Sequence, residues 1–191
     1  MIMNEDIKKL DIDTLPFLKD IILTVISIDW LQDEFNRNEI TLKDGRLCLL
    51  PYLISRPEQL VPSNNRNNLL KSIHPLIEFI LDKINGHKII RGELVNLLPG
   101  VSLVPHIDVY WFHKASRRIH IPITTNSNSM LTFDDRPYHL ESGKVYEINN
   151  RIMHSGFNFG NTDRIHLILD MMPIDVFKNA LHTKQNFMEV V

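Results

Sequence analysis

Between residues 86 and 173 turn residues cut the chain, at short and fairly even intervals, into runs that alternate apolar and polar positions. A chain with that rhythm is confined to an antiparallel β architecture that closes on itself or folds into two layers. The runs are "IIRGELVNLL", "SLVPHIDVYWF", "RRIHIPITT", "SMLTFDD", "YHLE", "KVYEINN", "MHSGFNF" and "RIHLILDMM". Pro99-Gly100, Ser127–Ser129, Arg136-Pro137, Ser142-Gly143 and Gly160-Asn161 separate them as turn signals. About eight short strands of this kind predict a barrel or a double-sheet jelly roll.

The first 85 residues follow a different period. Leu69, Leu70, Ile73, Leu76, Ile77, Ile80 and Ile84 recur at spacings of mostly three and four, so "RNNLLKSIHPLIEFILDKING" predicts a helix stopped by Gly86, with Pro75 as a candidate kink. A second helix is expected from Leu15 in "LPFLKDIILTVISIDWL", and a hairpin in "ITLKDGRLCLLPY" with its turn at Asp44-Gly45. "IDVFKNALHTK" predicts a closing helix. The expected organisation is one α+β domain over 1–191: mainly helical support over 1–85, a β core over 86–173, and a C-terminal helix or tail over 174–191. A chain of 191 residues buries a sizeable core without staples, and its single cysteine, Cys48, permits no internal disulfide.

A net charge of -2 with no basic stripe gives no electrostatic reason to expect nucleic acid or a membrane as partner. Apolar runs such as "IILTVISI" are too short to span a bilayer, and the N-terminus carries acids where a secretory leader is basic. The expected location is cytoplasmic. The oligomeric state stays open.

The chemistry begins with "LVPHIDV". On an extended strand His106 and Asp108 leave the same face, so the pair either looks at water or shares a positive ion. Alone, His-x-Asp favours water. His154, on a later run, shifts the balance, because two histidines and a carboxylate form the facial triad of non-haem Fe(II) oxygenases. A structural zinc site would want four protein ligands and usually cysteine, although a catalytic zinc on the same donors remains open. Arg164 stands ten residues after His154 and opens the last run. A guanidinium there can fork onto the far carboxylate of a dicarboxylic keto acid. Together, His-x-Asp, a histidine 46 residues after that aspartate and the arginine ten beyond it point to Fe(II) and 2-oxoglutarate. The polar faces of "RRIHIPI" and "RIHLILD" carry Arg118 and His120, and Arg164, His166 and Asp170, so these faces are expected to line a cavity while the isoleucine and leucine faces pack outward on helices. His166, sharing the Arg164 face, is a candidate for the co-substrate pocket.

The stretches "LLPGVSLVPHIDV", "RRIHIPITTN", "YHLESGKVYEINNRIMHSGFNFG" and "TDRIHLILDMMP" resemble the aspartyl/asparaginyl β-hydroxylase domain family, in its bacterial-type branch with a full triad. The resemblance implies a double-stranded β-helix fold, iron held by His106, Asp108 and His154, and the C5 carboxylate of 2-oxoglutarate held by Arg164, with oxygen as the second co-substrate. By the same match Arg118 and His120 approach the C1 carboxylate and the iron. A serine that the family can offer to the C5 carboxylate is replaced here by Val95-Asn96. A carboxylate at position 108, where related halogenases carry a small residue, implies hydroxylation. The expected substrate is an amino-acid-like small molecule, with a peptidyl aspartyl or asparaginyl residue as the alternative. A cupin-like metal-binding module without oxygenase activity is a third reading, which Arg164 and the Arg118/His120 pair argue against. Tyr110, Trp111 and Phe112 form either a lid or strand-end packing.

Overall fold

The computed structural model describes residues 5–27, 46–50, 64–109 and 111–180. In chain order the elements are β1 (Ile7–Asp13), α1 (Leu15–Ile26), β2 (Arg46–Leu50), α2 (Asn64–Lys83), β3 (His87–Leu97), β4 (Val101–Ser102), α3 (Trp111–Ala115), β5 (Arg117–Thr124), β6 (Ser129–Phe133), β7 (Arg136–Tyr138), β8 (Lys144–Ile148), β9 (His154–Asn158) and β10 (Arg164–Pro173). Residues 174–180 are helical, as expected for the start of the closing helix. The strands form a six-stranded sheet in the order β1-β8-β5-β10-β3-β2 and a four-stranded sheet in the order β4-β9-β6-β7, with antiparallel pairing throughout.

The two-residue period of β5 and β10 divides the molecule. Ile119, Ile121 and Ile123 of β5 and Ile165, Leu167, Leu169 and Met171 of β10 share one buried cluster with Leu18, Ile21 and Val25 of α1 and with Leu69, Ile73, Leu76, Ile77 and Ile80 of α2. Each such side chain withdrawn from water stabilises the fold by roughly 1.5–3 kcal/mol. The alternate positions bring the polar side chains to the opposite face. There the pairing register sets Asp170 across from both Arg91 and Arg118, and Ile168 across from both Glu93 and His120. The cavity on this face is also walled by His154 and Ser155 of β9 and Leu131 of β6, so it lies between the sheets.

α2 carries Leu69, Ile73, Leu76, Ile77 and Ile80 of its expected apolar stripe inward and leaves His74 and Glu78 exposed, with Pro75 inside the helix. Gly86, at φ 77°, follows it in the left-handed conformation that glycine adopts without steric penalty.

Four local expectations change. Residues 7–13 form an edge strand beside β8, a stretch for which the sequence pattern showed no strand within its mainly helical first 85 residues. "IKKLDID" hides its period because a register shift separates Leu10 from Asp13 and its outward positions are charged. Arg136-Pro137 lies within β7, and the chain reverses just before it, with Asp134 at φ 49°. Pro137 is tolerated because β7 is the outer strand of its sheet, where no partner needs the missing N–H. "SLVPHIDVYWF" is regular only over Val101–Ser102, because Pro105 cannot donate to the ladder. Its "WF" opens the short helix α3 instead. Asp44-Gly45, Tyr110 and residues 181–191 lie outside the described residues, and β2 pairs with β3. No helix among the described residues is long and apolar enough to cross a membrane.

Candidate active site

Beyond β4 the chain keeps running antiparallel to β9 through single contacts. Leu103 N–H donates to the Gly156 carbonyl at 2.8 Å, and Asp108 N–H donates to that of Asn150 at 3.1 Å. Between them His106 and His154 exchange both backbone hydrogen bonds, each 2.9 Å long, which brings the two rings to 4.4 Å between centroids. Each Nδ1 rests on a backbone carbonyl: His106 on Val104 at 2.8 Å and His154 on Ile152 at 2.9 Å. A carbonyl only accepts, so Nδ1 carries the proton and Nε2 keeps its lone pair for a ligand. Asp108 completes the group, and the ligand atoms of His106, Asp108 and His154 all lie within 4.8 Å of one another.

Burial would push the Asp108 carboxyl up, but Arg118, His113 and the amide of Asn150 outweigh it and hold it below the ordinary carboxylate range. Burial pushes the His154 imidazole below its ordinary value. At neutral pH these two side chains therefore hold the protonation states that ligate a cation.

Arg118 crosses from β5 to hold two carboxylates. Its Nε and one terminal nitrogen donate to Asp170 at 2.8 and 3.0 Å, and its other terminal nitrogen donates to Asp108. Asn150 adds a second donor to Asp108 at 3.0 Å. Burial opposes the charge on Arg118, and Asp170 with Asp108 more than restores it. His113 packs against this group with Nε2 3.0 Å from Arg118, and burial together with that guanidinium pushes its imidazole down to about 4.

Arg164 differs from Arg118 in every respect but burial. It is 2% exposed and lines the same cavity, yet its guanidinium has no hydrogen bond or ion pair among the described residues. Burial pushes it down to about 9, which leaves it cationic at neutral pH. A buried charge left unpaired costs several kcal/mol, a cost that a bound anion would offset. His120 and His166 lie nearby and are both buried, with their Nδ1 atoms 3.5 Å apart and both Nε2 atoms without a hydrogen-bond partner among the described residues. One imidazole of such a pair must donate and the other accept, and burial pushes both well below their ordinary value. Val95 lines the cavity, while the Asn96 amide is turned to Asp163 at 2.7 Å, so neither offers a hydroxyl to an anion.

The cavity thus brings His106, Asp108, His154, Arg118, His120 and Arg164 together in a volume of about 140 Å³, with His166 behind His120. Arg91 and Glu93 were not singled out from the sequence, and Asp170 was placed on the cavity face without a role. Their signal was present as charges at alternate positions of two otherwise apolar runs, "IIRGELVNLL" and "RIHLILDMM".

Residues 59–173 match the family model for aspartyl/asparaginyl β-hydroxylase. Among curated proteins the chain is similar to the L-proline cis-4-hydroxylase of Rhizobium meliloti (strain 1021), at 23% identity over 117 residues, covering 59% of this chain and 42% of that enzyme. The chain therefore spans about two-fifths of the length of that relative. Among solved structures it resembles a 2OG-Fe(II) oxygenase family oxidoreductase from Burkholderia pseudomallei, with a TM-score of 0.60 at 12% identity over 88% of this chain and 84% of that one. It also resembles a prolyl hydroxylase from Trichoplax adhaerens solved with a hypoxia inducible factor peptide, with a TM-score of 0.56 at 10% identity over 89% and 84% of the two chains. These likenesses establish the double-stranded β-helix fold.

Proposed function

The chain belongs to the aspartyl/asparaginyl β-hydroxylase family, and from that premise we propose that it is an Fe(II)- and 2-oxoglutarate-dependent hydroxylase of an amino-acid-like small molecule. The observation that carries the reading is Arg164, a buried cation with no counter-charge among the described residues, in the same cavity as a two-histidine, one-carboxylate group. A metal holder alone has no use for it. The proline hydroxylase relative supports a small amino-acid substrate.

The residues fit the implied groups. His106 and His154 present Nε2 lone pairs and Asp108 an ionised oxygen, the donor set suited to ferrous iron with coordination positions left open. Bound iron, together with 2-oxoglutarate and oxygen, would supply the oxidising chemistry that turns C–H into C–OH while the keto acid becomes succinate and carbon dioxide. The protein's own part is binding and orientation. Arg164 would take the far carboxylate of the keto acid as a bidentate fork, in a cavity where burial strengthens the pair. His120, kept neutral by burial, is placed to donate to the near carboxylate if His166 supplies the proton between the two Nδ1 atoms. Arg118 and Asn150 fix the Asp108 carboxylate, and Arg118 is held in turn by Asp170.

Anaerobic addition of Fe(II) and 2-oxoglutarate to the protein tests the reading. The expected result is the weak visible absorption of a metal-chelated keto acid, followed by succinate when oxygen is admitted. No band and no succinate would overturn it.

A further inference from the structure

Arg91 and Glu93 leave the same face of β3 and form an ion pair on the cavity wall, each side chain 11% exposed. The metal-type group does not need them. Its histidines are fixed by backbone carbonyls, and its aspartate by Arg118 and Asn150. Arg91 also reaches Asp170 at 3.3 Å, which gives it a part in supporting Arg118, whereas Glu93 touches that network only through Arg91. A buried carboxylate is expensive to keep without a purpose.

Position along the sheet separates this pair from Arg164. Glu93 stands across from Ile168 and Arg91 across from Asp170, four and six residues along β10 from Arg164. At strand rise that is about 13–20 Å, which places the pair toward the far end of the cavity from the anion site.

The charges show what that end accepts. Arg91, Arg118 and Arg164 equal Glu93, Asp108 and Asp170 in number, so the group is formally neutral. All three carboxylates contact Arg91 or Arg118, and none contacts Arg164 among the described residues. A divalent cation on the triad and a dianionic keto acid at Arg164 also balance each other. A third molecule entering this low-dielectric space is best tolerated if it is neutral overall. A wall that presents one positive and one negative group selects a neutral molecule that is strongly dipolar.

We propose that Arg91 and Glu93 are the substrate subsite, Arg91 taking the α-carboxylate and Glu93 the α-ammonium, primary or ring secondary, so that the substrate is a free α-amino acid and not a residue within a chain. This rests on the oxygenase reading above and narrows it. The zwitterion inserts into the existing Arg91–Glu93 pair and exchanges one ion pair for two, with no net charge buried. A peptide residue lacks both charges and would leave each member of the opened pair unmatched.

The test is calorimetric binding to protein loaded with Mn(II) and N-oxalylglycine, in which no turnover occurs. The probes are the proteinogenic L-amino acids, each free, as the N-acetyl derivative and as the carboxamide. At least one free amino acid should bind, with each of its blocked forms at least about 30-fold weaker. The same free amino acid should gain one oxygen in the aerobic iron enzyme. Arg91→Gln should shrink the acid-over-amide preference to within about threefold, and Glu93→Gln should do the same for amine over N-acetyl, because each removes one charged contact. Blocked forms binding as tightly as free ones, binding of peptides alone, or variants that weaken free and blocked forms alike would overturn the proposal. If a variant does not fold, the free-against-blocked comparison on the unaltered protein decides. Loss of the keto-acid band defeats the oxygenase reading, whereas an intact band with blocked forms preferred defeats only the subsite.

Discussion

Arg118 and Asp170 meet across neighbouring strands as a two-point fork, with Nε donating to one carboxylate oxygen at 2.8 Å and a terminal nitrogen to the other at 3.0 Å. They are register partners of β5 and β10, so the contact is set by strand pairing and not by long flexible side chains finding each other. The remaining terminal nitrogen donates to Asp108, whose own stretch of chain is irregular. Rigidity of the large sheet is thereby passed to a carboxylate that its local backbone would leave loosely held.

Asp170→Asn removes the charge that fixes this fork. Metal affinity at His106, Asp108 and His154 is expected to fall about 10–100-fold, measured by competition with a chromophoric chelator. Keto-acid affinity at saturating metal should change little. An unchanged metal affinity would show that Arg118 does not depend on Asp170.

Arg164→Met trades binding for stability. The variant loses a buried cation that has no counter-charge among the described residues, so the ligand-free protein should gain on the order of 1–4 kcal/mol in denaturant unfolding. Its 2-oxoglutarate binding should weaken by about 2–5 kcal/mol while metal binding persists. A variant that is both less stable and still binds the keto acid would contradict the assignment.

Acid should weaken the fold before its carboxylates titrate. Burial, with Arg118 beside it, depresses His113 to about 4 from an ordinary 6.5. Between these values the unfolded chain takes up a proton that the folded chain refuses, so stability falls as pH is lowered through this window. Melting temperatures from pH 7 to 4 should decline less steeply for His113→Gln than for the unaltered protein. Parallel slopes would remove His113 from the account.

Gly143 sits in the Ser142-Gly143 turn at φ 79°, and a Cβ there would lie 2.4 Å from a methyl carbon of Leu15. Leu15 is 53% exposed and can swing aside, so the backbone conformation carries most of the penalty. Gly143→Ala should destabilise by about 1–3 kcal/mol in urea unfolding, without change in metal affinity. A neutral substitution would mean that the turn relaxes freely.

Much of the site was legible because strand alternation is local. The isoleucines of "RRIHIPI" and the leucines of "RIHLILD" announced which face packs on helices, and therefore which face carries Arg118, His120 and Arg164 into a cavity; His166 shares that face but reaches His120 and not the cavity lining. Spacing also brought His106, Asp108 and His154 forward, although the reason first given, a regular strand through 103–109, fails at Pro105; the histidine bridge to β9 supplies the alignment. What stayed hidden depended on register between distant segments. "IKKLDID" joins the large sheet only as an edge, and Arg91 becomes a neighbour of Asp170 only once β3 and β10 pair. The difference between Arg118, twice paired, and Arg164, unpaired among the described residues, is likewise a tertiary fact that two arginines on alternating strands cannot announce.

The reciprocal backbone bonds of His106 and His154 bear on timing. Main-chain bonds fix the spacing of the two backbones, and each ring is turned by its Nδ1 contact to a carbonyl, so spreading the imidazoles apart breaks one of these contacts. Opening of the margin of the small sheet, where β4 meets β9, would break the backbone pairing and loosen the hold on an ion between the rings. Release should then follow the amide exchange rates of His106 and His154, and a substitution that frays β4 should leave the intrinsic affinity of the donors alone while shortening the residence time of the occupant.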